Sequence, residues 1–147
     1  MGRNSSERYR LSVFLGDRKG RTMCRVLIIE DNPMNLELAR DLLEAAGYEV
    51  ISAETAKEGL EHVQHYLPDL VLLDIALPDM DGLEAARRIK ADPSLAAIPV
   101  VALSAHAMAR DRDLALKAGC DGYITKPIDT RSFAPEVSSY STNRSCA

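Results

Sequence analysis

From Met23 onward the chain repeats one pattern five times: a short apolar run, a polar turn, then a stretch whose apolar residues recur at helical spacing. Few architectures accept that alternation. Apolar runs without interleaved polar residues read as strands buried on both faces, and the stretches between them read as crossover helices. The chain is therefore predicted to be an α/β protein, with a parallel sheet covered by helices on both sides. Right-handed crossovers leave only a few topologies open.

The elements follow in order. Arg25 to Ile29 read as a first strand that ends in Glu30-Asp31, and Asn32-Pro33 supply an N-cap and a first-turn proline for a helix to about Ala46, closed by Gly47. Tyr48 to Ala53 read as a second strand, and Thr55 with Glu58 forms a capping box for a helix to about Tyr66. Leu70 to Leu73 form the third strand and stop abruptly at Asp74, with the turn formers Pro78, Asp79 and Gly82 beyond. Leu83 to Ala91 follow as a short helix. Val100 to Leu103 form a fourth strand ending in Ser104, and a helix from about Ala107 to Ala118 stops at Gly119. Asp121 to Thr125 form the fifth strand, ending in Lys126-Pro127; Asp129 caps a last helix that Pro135 and the Ser-rich end weaken.

A chain of 147 residues is long enough for one core and too short for two, and 46% hydrophobic with 27% charged residues is an ordinary globular balance. No apolar run approaches the roughly 18 residues of a membrane span, so no membrane role is expected. Residues 1 to 22 carry six Arg or Lys against Glu7 and Asp17, a net +4 that leaves -8 on the rest of a chain whose total is -4. An acidic body argues against binding nucleic acid through its phosphates. The leader lacks a sustained period and a secretory h-region, so residues 1–22 are expected to be a disordered extension, with a short edge strand at Arg10 to Phe14 as the alternative. Cys24, Cys120 and Cys146 lack metal or redox spacing and are expected to be reduced thiols in the cytoplasm.

Four strands end in polar or charged groups: Glu30 and Asp31, then Asp74, Ser104 and Lys126. In a parallel sheet these ends share one edge, where open α/β sheets bind their ligands. Taken singly, the acidic pair reads as a solvated strand end, Ser104 as a helix cap and Lys126 as a surface charge. Together they read as a site. Three carboxylates would repel one another without a cation, and hard oxygen donors suit Mg²⁺. A metal beside a nucleophilic carboxylate, with a lysine and a hydroxyl facing it, suits a phosphoryl group.

These residues resemble the signature of the response-regulator receiver domain, over about Met23 to Phe133. The phrase Leu103-Ser104-Ala105-His106-Ala107-Met108 is also similar to receivers of hybrid histidine kinases. The resemblance implies a (βα)5 doubly wound, flavodoxin-like sheet of strand order 2-1-3-4-5. It implies that Asp74 accepts a phosphoryl group from a histidine kinase or a histidine phosphotransfer protein. Asp31, Asp74 and the backbone carbonyl of Ala76 would bind Mg²⁺, with Glu30 acting through water. Lys126 would contact the phosphoryl group and the acceptor, and the Lys126-Pro127 bond would be cis. Ser104 and Tyr123 would act as the switch pair, carrying the signal to a protein partner through the fourth helix, the fifth strand and the start of the fifth helix. Ala76 and His106 would flank the path of a hydrolytic water, and an imidazole can hold one where an alanine cannot.

The implied protein is a phospho-accepting switch, catalysing only its own phosphorylation and slow autodephosphorylation. Residues 23–138 would form the receiver and 139–147 a disordered tail, too short for an output module. A phosphatase of the haloacid dehalogenase type would want an Asp where Ala76 stands. A pseudo-receiver that only docks partners would not need the full set of acidic pair, acceptor, hydroxyl and lysine. A flavodoxin would need a Ser/Thr-rich loop where Asp31-Asn32-Pro33 repels phosphate. His62 and His65 share a helix face without a third ligand nearby and are expected at the surface.

Overall fold

Five strands, β1 (Arg25–Ile29), β2 (Glu49–Ala53), β3 (Leu70–Asp74), β4 (Val100–Ser104) and β5 (Gly122–Thr125), alternate with five helices in a computed structural model that describes residues 23–106 and 108–141. The helices are α1 (Pro33–Ala45), α2 (Ala56–Tyr66), α3 (Gly82–Ala91), α4 (Ala109–Lys117) and α5 (Phe133–Ser139). Every strand pair is parallel and the order is 2-1-3-4-5, as the resemblance implied. The expectations for residues 1–22, Ala107 and residues 142–147 lie outside the described residues.

The strands are buried on both faces because each alternates between two cores. Leu27, Ile29, Val71, Leu73, Val100, Ala102 and Tyr123 point to one side, where α2, α3 and α4 bring Val63, Ile89 and Ala115. Val26, Ile28, Leu70, Leu72, Val101, Leu103 and Ile124 point to the other, where α1 and α5 bring Leu43 and Phe133. At about 1.5–3 kcal/mol for each large side chain removed from water, these two layers supply the driving force for the fold. Among the described residues no helix is long and apolar enough to cross a membrane.

Local chemistry sets the element ends. Asn32 accepts the N–H groups of Met34 and Asn35 and places Pro33 at the first helical position of α1. Gly47, at φ 97°, takes the left-handed step that ends that helix. Asp129 is not the cap expected of it: the N-cap of α5 is Ser132, and Asp129 instead accepts from the N–H groups of Arg131 and Ser132 in the turn that leads into the helix. Pro135 is tolerated because it sits in the first turn, where no intrahelical partner needs its N–H.

The expectation of reduced thiols holds for Cys120, a buried free thiol whose pKa is pushed up to about 11, first by burial and then by Asp121, and fails for Cys24, which is disulfide-bonded. Spacing in sequence is silent on such a bond, which needs only that two Cα atoms come within about 7 Å in the folded chain. The strand order reverses between β1 and β3, the point where such sheets open a crevice at their carboxyl ends. Glu30 and Asp74 stand on its two sides.

Candidate functional site

β1 and β3 run through the middle of the sheet, so the residues at their carboxyl ends are buried even when charged. Glu30 is 1% exposed and Asp74 4% exposed, whereas Asp31, one step further along the chain, is exposed. Glu30 Oε2 accepts the N–H of Asn32 at 3.2 Å, and Asp74 Oδ1 accepts the N–H of Ala76 at 3.1 Å. Each carboxylate thus has one oxygen tied to the backbone and one aimed into the crevice.

Lys126 meets those free oxygens. Its Nζ lies 2.7 Å from Glu30 Oε1 and 3.2 Å from Asp74 Oδ2. The backbone N–H of Lys126 donates to the Ser104 carbonyl at 2.7 Å, and the Lys126-Pro127 bond is cis. The bond to the Ser104 carbonyl fixes where the side chain leaves the backbone. Lys126 is thus the charged partner of a Glu30 oxygen that is itself buried from solvent.

Electrostatics follow from this crowding. Burial, then Asp74, raises the Glu30 carboxyl from 4.5 to about 7, against the opposing pull of Lys126. Burial alone would lower Lys126, but the two carboxylates outweigh it and hold the ammonium above its usual value. One oxygen from each of Glu30, Asp31 and Asp74 lies within 4.8 Å of the others. One ammonium does not neutralise three carboxylates. A hard divalent cation fits this oxygen-only donor set.

The neighbouring strand ends carry the other two groups. Ser104 Oγ accepts the N–H of His106 at 3.0 Å, and the Tyr123 hydroxyl donates to the His106 carbonyl. The backbone of His106 therefore ties the two side chains together. Tyr123 is buried, with the Arg112 guanidinium 5.8 Å from its ring centre. The His106 side chain is exposed, as is Ala76. The structure thus brings Glu30, Asp74 and Lys126 into direct contact, sets Asp31 beside them, and holds Ser104 and Tyr123 one strand away through the loop after β4. His62 and His65 lie on α2, apart from this site: His65 is exposed, but His62 is half-buried, and both rings stand edge-on to Tyr66.

Two contributors escaped the sequence reading as anything beyond turn formers. A Cβ on Gly82 would lie 2.5 Å from the Asp74 carbonyl oxygen and 2.6 Å from Ile75 Cα, so only glycine lets α3 begin this close to the end of β3. Asp79 reaches from the same loop to the first turn of α2. A close approach of two backbones leaves no trace in periodicity, and neither does a cap contributed from another element.

Comparison with known proteins agrees with this geometry. The family model described as the response regulator receiver domain matches residues 26–137. The polar-differentiation response regulator DivK of Brucella ovis is 44% identical over 115 residues, which cover 78% of this chain and 94% of DivK. A CheY-like receiver domain protein from Methanospirillum hungatei superposes with a TM-score of 0.71 at 33% identity, covering 80% of this chain and 92% of that one. The phosphorylated cyanobacterial phytochrome response regulator RcpA does so with 0.68 at 30% identity, over 78% and 89% of the two chains. A match across both cores and every strand end settles the family: the chain belongs to the response-regulator receivers.

Proposed function

We propose that this receiver takes a phosphoryl group from a phosphohistidine, on a histidine kinase or a histidine phosphotransfer protein, onto Asp74. The observation that carries the reading is the contact of Lys126 Nζ with both Asp74 and Glu30 at the open ends of β1 and β3. An Asp74 oxygen attacks the phosphorus, the P–N bond of the donor breaks, and its electron pair stays with the departing imidazole. The product is an acyl phosphate. Lys126 is close enough to Asp74 to balance charge on the transferred group, and Ser104 can turn its hydroxyl from the His106 N–H toward a phosphoryl oxygen. Asp31, Asp74 and the Ala76 carbonyl would hold Mg²⁺, with Glu30 acting through water; the ion would neutralise the phosphoryl oxygens during transfer.

The protein acts on itself and not on a separate substrate, and slow hydrolysis resets it. Ala76 and His106 border the approach of the hydrolytic water. Output leaves through α4, β5 and the start of α5 to a protein partner, with no direct contact to DNA or membrane. Met108, Leu114 and Leu116 give that side exposed apolar surface, and Tyr123 lies beneath it. Phosphorylation shifts a population between two forms, so a partner must bind one form better than the other. The reading puts the reaction in the cytoplasm, where phosphohistidine donors are made from ATP.

Intact-mass spectrometry after incubation with acetyl phosphate tests the reading. The expected result is one added phosphoryl group with Mg²⁺ and none in EDTA. Addition that is indifferent to Mg²⁺ and persists in Asp74→Asn would overturn it.

A further inference from the structure

The loop between β3 and α3 is a small closed structure. Its base is held by the Ala76 and Asp81 bridge and by the Gly82 N–H donating to the Ile75 carbonyl at 2.9 Å. Asp81 caps α3 by accepting the N–H of Leu83 at 2.9 Å. The tip is held differently. Asp79 Oδ1 accepts the N–H of Ala56 at 2.9 Å, and Oδ2 accepts the N–H of Lys57 at 3.0 Å. Those are the first two amides of α2, which have no partner within the helix. Thr55, the N-cap residue of α2, takes only the third, from Glu58, at 3.1 Å. Capping of α2 is thus divided between its own threonine and a carboxylate that follows the acceptor by five positions.

We propose that Asp79 is a positioning residue: by clamping the tip of this loop to the N-terminus of α2, it holds the Ala76 backbone where the divalent cation of the acceptor site is bound. The inference rests on the reading of that site given above. Ala76 is part of the pinned base, three positions before the pinned tip, and its N–H is bonded to the acceptor carboxylate itself. A loop tethered at both ends keeps its carbonyl in one place. With the tip released, Ala76 keeps its bridge to Asp81 and its bond to Asp74, but the chain that follows it is free to move, and the carbonyl samples other directions. The two α2 amides also hold the Asp79 carboxyl below the usual carboxylate range, so the clamp stays charged through neutral pH.

The experiment compares Asp79→Ala and Asp79→Asn with Thr55→Ala, a variant that removes a cap from the same helix without touching the loop. Amide hydrogen exchange in EDTA reads the loop with no metal present, and calorimetric titration of the full chain with Mg²⁺ reads the site. Both Asp79 variants should exchange faster at Ala76 as well as at Ala56 and Lys57, and should bind Mg²⁺ more weakly by on the order of tenfold, as expected when support behind a ligand is lost. Thr55→Ala should melt earlier yet keep wild-type Mg²⁺ affinity and wild-type exchange at Ala76. Wild-type affinity in Asp79→Ala would overturn the proposal, and so would equal weakening by Thr55→Ala, which would reduce Asp79 to a helix cap. If the wild type itself binds no better than Asp74→Asn, the reading of the cation site falls. Exchange at Ala76 then decides the clamp alone: faster in Asp79→Ala supports it, unchanged overturns it.

Discussion

Replacing Glu30 by Gln should stabilise the metal-free protein at neutral pH and do little in acid. Glu30 is 1% exposed, and burial followed by Asp74 raises its carboxyl from 4.5 to about 7 even with Lys126 beside it. That rise corresponds to roughly 3 kcal/mol of folding free energy lost once the group is ionised. Relaxation around the charge lowers the figure, so about 1–3 kcal/mol is expected to be measured. The folded protein holds the Glu30 proton more tightly than the unfolded chain does. Stability should therefore fall as pH rises from about 4.5 to about 7 and stay level above, because folding takes up a proton across that window. Gln keeps the shape and the acceptor for the Asn32 N–H, but it carries no charge. The gain for Glu30→Gln should be near zero at about pH 4.5 and about 1–3 kcal/mol at about pH 8, or about 3–10 °C in Tm for a domain of this size. Thermal and urea melts in EDTA at several pH values measure it. An equal gain at every pH, or a loss at the alkaline end, would refute the reasoning.

Other expectations concern single residues. Gly82→Ala puts a methyl group against the Asp74 carbonyl oxygen, which the backbone cannot easily yield, so urea melts should show a loss on the order of 2–4 kcal/mol; an unchanged midpoint would contradict the close approach. Asp31→Ala should melt later than wild type in EDTA, because one of three mutually repelling carboxylates is gone, yet bind Mg²⁺ more weakly by calorimetry. His106→Ala should lengthen the phosphoryl lifetime if its imidazole orients the hydrolytic water, and identical decay curves for the two proteins would leave His106 with its backbone role alone.

Much of the fold was legible because buried parallel strands announce themselves. Leu70 to Leu73 and Val100 to Leu103 have no polar residue to spare, and helix caps such as Asn32 and Thr55 mark the turns between layers. The strand ends were legible for the same reason, since an abrupt change from apolar to charged is visible without any partner. Interactions that depend on three dimensions were not. Arg25 looked like the outer end of an apolar strand, but it is fully buried, donating to the Tyr66 carbonyl at 3.0 Å and facing Glu49 at 3.4 Å. Asp79 looked like a turn former because its partners in α2 lie 22 and 23 positions earlier in the chain. His106 was considered for its imidazole, whereas the structure uses its backbone to join Ser104 and Tyr123. The Cys24 disulfide was missed altogether, since distance along a chain says nothing of distance across a fold.

The most direct test of the central claim is to locate the phosphoryl group. Borohydride reduces an acyl phosphate of aspartate to homoserine, so peptide mapping after reduction reports which carboxylate carried it. Treatment with acetyl phosphate and Mg²⁺ should yield homoserine at position 74, none in EDTA, and none in Asp74→Asn. Homoserine at position 31, or 2-amino-5-hydroxypentanoic acid (the alcohol a reduced glutamyl phosphate gives) at position 30, in the wild type, or label at position 74 that forms equally well without Mg²⁺, would contradict the account.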